Sequence, residues 1–222
     1  MPGIKKHDYE FTGDNNRITP DEIDQYRQYV IMNPSVSATY FGTAASANAV
    51  AITAINTRAD YPRNMLLSVT GVAGGMGGTA VINGVDQFGG TIQESIGFAS
   101  AAGGGTQAGT KVFARYTDGT FTPQGLGGTA VGTVSLGVAI STASNSPLFG
   151  LLDKLGGTAD VKAVTWLDSG VAKQHGAASH ADTTNHAIRI EVTGGVAAAD
   201  SYVVLYRPTK DLSNEGYQAD LS

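Results

Sequence analysis

The chain has 222 residues, room for one large β domain or two small ones. Hydrophobic residues make up 41%, enough for a core, while charged residues are only 15%, well below the usual quarter. A net charge of −5 argues against a general nucleic-acid binder, the absence of cysteine excludes disulfides, zinc–thiolate sites and thiol nucleophiles, and no run of about 18 apolar residues is present to span a membrane.

Residues 1–18 are polar and irregular, and MPGIKKHDYEF lacks the apolar h-region of a secretory signal. Tyr9 and Phe11 are the anchors this stretch offers a partner. Residues 19–31 predict a helix. Thr19 stands as N-cap, Pro20 at the first helical position and Glu22 at N3, the form of a capping box, and Asp21 and Glu22 suit the helix dipole. Ile23, Tyr26 and Val30 then share a face at helical spacing, with Tyr29 beside them, and Asn33-Pro34 ends the pattern. Such a helix either packs on its own domain or docks on a neighbour. The expected organisation is an N-terminal arm over 1–47, with its helix at about 20–31, and a β-rich domain over 48–222. Two sub-sheets or subdomains would divide near 145–160.

Residues 35–59 begin as an extended connector and predict a strand around Val50, Ile52 and Ile55. Met65–Val69 is the next strand, and the glycine-rich stretch 71–78 turns it. Thr79–Val85 and Thr91–Ile96 predict a β-hairpin around Asp86-Gln87-Phe88-Gly89-Gly90, where the glycines permit a tight connection. Ala99–Gly109 reads as a loop, Lys111–Tyr116 as a strand and Asp118-Gly119 as a turn. Val134, Leu136, Val138 and Ile140 alternate with small residues, as in a strand with one buried face. Residues 147–157 predict a short helical turn capped by Gly156, and Val161–Trp166 a strand closed by a turn at 168–170. Residues 172–186 form a polar, histidine-rich segment. Ile188, Ile190 and Val192 alternate as a strand, and Tyr202–Tyr206 reads as a central strand apolar on both faces. Many short strands punctuated by turns imply a mainly β fold, an antiparallel β-sandwich or a jelly-roll or barrel-like domain.

Chemistry is sparse. The glycine clusters at 74–78 and 103–105 lack the Lys-Ser/Thr pair of a phosphate loop. His175, His180 and His186, with Asp182 among them, have ligand chemistry for zinc but no metal-site spacing, so a polar loop is the better reading. No GxSxG elbow is present, and Glu94 and Glu191 stand without a paired carboxylate. The expectation is a protein with no catalytic residues, no cofactor and no metal.

The order of segments resembles a group of tailed-bacteriophage virion proteins. The residues that carry the resemblance are Tyr61-Pro62-Arg63-Asn64 at a strand start, the hairpin from Gly84 to Ser95, and Val134-Ser135-Leu136-Gly137 followed by Leu152-Asp153-Lys154-Leu155-Gly156. The match covers residues 60 to about 206, and the N-terminal segment has no counterpart in it. The resemblance implies a structural virion component assembled in the host cytoplasm, above all a capsid decoration or cement protein. Its partners would be the major capsid protein and copies of itself, a homo-oligomer for which analogy favours a trimer, with no nucleic acid or membrane. A tail, neck or baseplate component is the alternative. A carbohydrate-binding module is a weaker one, since aromatics are only 8% and not in a row. Tyr9, Phe11, Ile23, Tyr26, Tyr29 and Val30 are the candidate interface residues.

Overall fold

The computed structural model describes residues 26–45, 50–70, 76–101, 104–124, 132–138, 147–168, 171–175, 181–190 and 199–208. In chain order the strands are β1 (Arg27–Met32), β2 (Gly42–Ala45), β3 (Val50–Ala51), β4 (Thr53–Ala54), β5 (Arg58–Arg63), β6 (Met65–Thr70), β7 (Met76–Val85), β8 (Thr91–Ala101) and β9 (Gly104–Ala108). They continue with β10 (Phe113–Gln124), β11 (Thr133–Val138), β12 (Leu148–Gly150), β13 (Val161–Asp168), β14 (Val171–His175), β15 (Ala181–Asp182), β16 (Ala187–Arg189) and β17 (Ser201–Tyr206). All described pairings are antiparallel. The fold is mainly β, as the alternation and turn spacing imply.

Three sheets share the work. One has the order β1-β17-β13-β14 and one the order β4-β2-β11-β6-β9. The third, of eight strands, runs β15-β16-β12-β5-β10-β7-β8, with β3 added to β10. Its β7, β8 and β10 cover the five-stranded sheet. Ala80, Ile82, Ile96, Phe113 and Phe121 meet Met65, Leu67, Val69, Val134, Leu136 and Val138 in one core. The other end of the same sheet, β12 and β16, covers the four-stranded sheet. Phe149, Leu151, Leu155 and Ile188 there meet Ile31, Val164, Trp166, Tyr202 and Val204. The molecule is thus two sandwiches that share one sheet. Each fully buried large apolar side chain in them contributes roughly 1.5–3 kcal/mol.

The central hairpin is as expected. Asp86 Oδ1 accepts the N–H groups of Phe88 and Gly90, both at 2.8 Å, and Gly89 has φ +86°. Gly84, inside β7, has no room for a side chain: a Cβ would lie 2.2 Å from the Arg115 carbonyl oxygen and 2.6 Å from the Phe113 ring.

Several expectations are corrected. The helix expected at about 20–31 is a strand from Arg27 on: Arg27–Met32 forms β1 and pairs in register with β17, Tyr29 opposite Val204 and Ile31 opposite Tyr202. Tyr-Val-Ile suits a pleated surface, and a long-range partner strand outweighs a local capping signal. Asn33 does end the element, at φ +48°, a conformation Asn tolerates. With β1 and β2 both sheet members and Ile31 fully buried, residues 27–45 belong to the sandwiches rather than to an arm. Residues 20–25 lie outside the described residues.

The loop read at 99–109 holds the end of β8 and all of β9. Asp118-Gly119 is no turn but lies within β10, next to a bulge between Tyr116 and Asp118. The helical turn read at 147–157 is displaced: Leu148–Gly150 is a strand, and a single 3-10 turn spans Thr158–Asp160. Of the strand expected around 188–192, Ile188 and Arg189 lie in β16, the Ile190 N–H bonds the Pro147 carbonyl at 2.9 Å, and 191–198 lie outside the described residues. The expectation at 202–206 holds: β17 is central in its sheet, with Leu205 39% exposed on its outer face.

Candidate interaction surface

The residues behind the resemblance act as polar clasps between strands. Arg63 is fully buried at the end of β5. Its Nη1 donates to the Ser35 carbonyl at 2.9 Å and to Asp60 Oδ2 at 3.2 Å, and its guanidinium carbon lies 4.7 Å from the Phe149 ring centre. Burial pushes its pKa down, and the Asp60 carboxylate opposes that shift. The Tyr61 hydroxyl bonds both backbone groups of Met32, at 2.9 Å each. Asn64 bridges Gly109 and Leu148 through its amide, at 2.9 and 2.8 Å. Glu94 Oε1 accepts the Thr110 hydroxyl at 3.0 Å and the N–H groups of Thr110 and Lys111. Asp153 accepts from Arg27 at 2.7 Å and from the Tyr206 hydroxyl at 2.6 Å, tying β1 and β17 to the loop after β12.

Two groups of the histidine-rich segment are similarly committed. His186 Nδ1 accepts the Leu155 N–H at 3.1 Å, and its ring meets Phe88 edge-on at 5.6 Å. Burial, then Lys154, lowers its pKa, against the pull of Asp182. Asp182 accepts the N–H groups of Thr184 and Asn185 and the Asn185 side-chain amide. His180 and the His175 side chain lie outside the described residues, among which no metal-binding cluster occurs.

The four-stranded sheet has one closed face and one open one. Inward lie Ile31, Val164, Trp166, Tyr202, Val204 and Tyr206. Outward, register places Val30 beside Val203 and Thr165, and Leu205 between Gln28 and Ala163, with Met32 opposite Ser201. Val30 is 41% and Met32 57% exposed. β1 is also an edge strand: the Tyr61 hydroxyl takes the outward backbone groups of Met32, and those of Gln28 and Val30 form its open edge within the described fold.

Of the candidate interface residues, Tyr9, Phe11 and Ile23 lie outside the described residues. Tyr26 is half-buried, with Lys162 Nζ 5.9 Å from its ring centre. Tyr29 and Val30, neighbours on the expected helix, point to opposite faces of the strand. Tyr29 turns in against Tyr61, ring centres 6.4 Å apart, and burial, then the nearby Tyr61 and Asp60, push its hydroxyl pKa up to about 12. Val30 alone of the pair faces out. Helical spacing missed Met32 and Leu205; a period of two applied to 28–32 would have found Met32, and Leu205 emerges only from pairing with β1.

No family model matches the chain, and no curated protein matches it. Among solved structures, that of infectious bursal disease virus Gx strain is similar at a TM-score of 0.28 and 13% identity, over 85% of this chain but only 38% of that one. Similarity at that level carries no argument about fold or function.

Proposed function

We propose that the chain is a structural component of a virus particle, specifically a capsid decoration or cement protein of a tailed phage, with no enzymatic reaction of its own. The observation that supports this most is the open apolar face of the four-stranded sheet, with Val30 and Met32 on the edge strand β1 and Leu205 beside them on β17, whose opposite face is anchored in a core. Apolar side chains grouped on one face of a rigid sheet suit attachment to another protein surface. The partners in this reading are the major capsid protein and neighbouring copies of the chain. Cementing then works by spreading contact over many subunits, so that release requires many contacts to fail together. The motif residues behind the phage resemblance serve as clasps within the sheets, which fits motifs that preserve a scaffold.

The test is Val30→Asp combined with Leu205→Asp, both at exposed positions. The variant should keep the circular dichroism of the parent and lose attachment to source particles by at least about tenfold in cosedimentation, since two apolar contacts of 1 kcal/mol or more are removed. Full-affinity attachment would defeat the reading. A cryo-EM reconstruction with the chain in the tail, neck or baseplate would replace decoration by the alternative.

A further inference from the structure

The outer face of the eight-stranded sheet is polar, and its register places two arginines side by side. Thr91, Val85, Arg115 and Arg58 form one row across β8, β7, β10 and β5. Gln93, Asn83 and Asp118 form the next row. That second row is tied together: Gln93 Nε2 donates to Asn83 Oδ1 at 2.8 Å, and Asn83 Nδ2 donates to Asp118 Oδ1 at 2.6 Å. An open groove of about 470 Å³ runs over the β8, β7 and β10 part of these rows, lined by Asn83, Val85, Thr91, Gln93, Arg115 and Thr117 among others, with Arg58 outside its lining and reached through Arg115.

Arg58 and Arg115 sit directly opposite each other, so both side chains leave the same face with Cβ atoms roughly 5 Å apart. Both are exposed, and neither forms an ion pair among the described residues. Like charges directly opposite destabilise a sheet. The chain has 19 acidic residues for 14 basic ones, so the pair is not left bare for want of carboxylates. A bound dianion would relieve the repulsion, because two guanidinium forks match the oxygens of a sulfate or phosphate. The amides of Asn83 and Gln93 each spend one N–H in the ladder and retain a second, and Thr91 and Thr117 add hydroxyls. The groove has room for more than an ion, within the size range of small-molecule sites. We propose that Arg58 and Arg115 form an oxyanion site for a sulfate or phosphate group carried on a sugar, with the sugar lying in the groove over Asn83 and Gln93. This site is independent of the apolar face of the four-stranded sheet.

The test is a titration of the full chain, followed by NMR at the arginine Nε–Hε and the Asn and Gln side-chain amides. Sodium sulfate, glucosamine-6-sulfate and sodium chloride are compared at matched ionic strength. Both sulfates should give saturable shifts at Arg58 and Arg115 that chloride does not. The sugar sulfate should also move the Asn83 and Gln93 amides and bind more tightly than the free ion. Arg115→Gln and Arg58→Gln should each weaken binding about tenfold or more, the scale of one charge-assisted hydrogen bond. Asp118→Asn keeps the acceptor for Asn83 and removes a carboxylate from the adjoining row, so it should strengthen binding. Identical shifts in chloride, or unchanged affinity in both arginine variants, would overturn the site. Saturable sulfate binding with no gain from the sugar would overturn its assignment to a sugar-borne group.

Discussion

Asn64 is 1% exposed, and it satisfies two backbone groups that have few other options. Its Nδ2 donates to the Gly109 carbonyl and its Oδ1 accepts the Leu148 N–H. Asn64→Ala would strand both. At about 1–3 kcal/mol per orphaned buried group, the expected loss is roughly 2–6 kcal/mol in urea unfolding, and a loss under about 1 would remove the clasp. His186 gives a pH signature. Its pKa is lowered in the folded chain, so the unfolded chain binds the extra proton more readily. The contribution is therefore complete above the unfolded value, about 6.5, and fades as pH falls below it. Asn tolerates the left-handed backbone that His186 adopts at φ +48°. His186→Asn should flatten the stability profile below about pH 6.5 in pH-dependent unfolding; an unchanged slope there would mean another group sets it. Neither role was legible locally. Asn64 stood out only through its place in a motif, and His186 was read as one of a polar loop because its partner, Leu155, lies 31 residues away.

At the scale of the element, β1 separates two readings of the same residues. A helix over 20–31 makes Ile23, Tyr26 and Val30 the buried face. The strand instead buries Ile31, at 0% exposure, and leaves Val30 at 41%. Ile31→Ala should cost about 2–5 kcal/mol, and Val30→Ala less than 1. Comparable losses at both, measured by thermal unfolding, would contradict the strand. The misreading has a physical source. Thr19-Pro20-Asp21-Glu22 is a local signal, whereas β1 is stabilised by a strand more than 160 residues later, which no window contains. Where the partners are close, the elements were legible: the hairpin of β7 and β8 needed only its five-residue connection. Asp118-Gly119 failed for another reason. Its glycine serves close packing beside a bulge, with the Tyr116 hydroxyl 3.0 Å from where a Cβ would sit.

For the whole molecule, the shared sheet sets the cooperativity. β12 pairs with both β16 and β5, and β5 pairs with β10, so the two cores are joined through continuous hydrogen bonding. Arg63 reinforces the joint, reaching from β5 to Ser35 and lying over Phe149. The chain should therefore melt in one calorimetric transition, with equal calorimetric and van't Hoff enthalpies. Two resolved peaks would show that the sandwiches unfold separately. Fold class was legible because alternation and turn spacing report the type of element. The sharing of one sheet was not, because it depends on which strands pair across the chain.

The pairing of β1 with β17 has a further consequence during synthesis. At ribosomal speeds of about 5–20 residues per second, β1 emerges roughly 10–35 s before its partner. Throughout that interval Tyr29, Val30 and Ile31 form an apolar strand with both edges open. Nascent chains stalled before residue 201 should therefore recruit hydrophobic-strand chaperones at 27–32, and release should follow once Ser201–Tyr206 has left the exit tunnel.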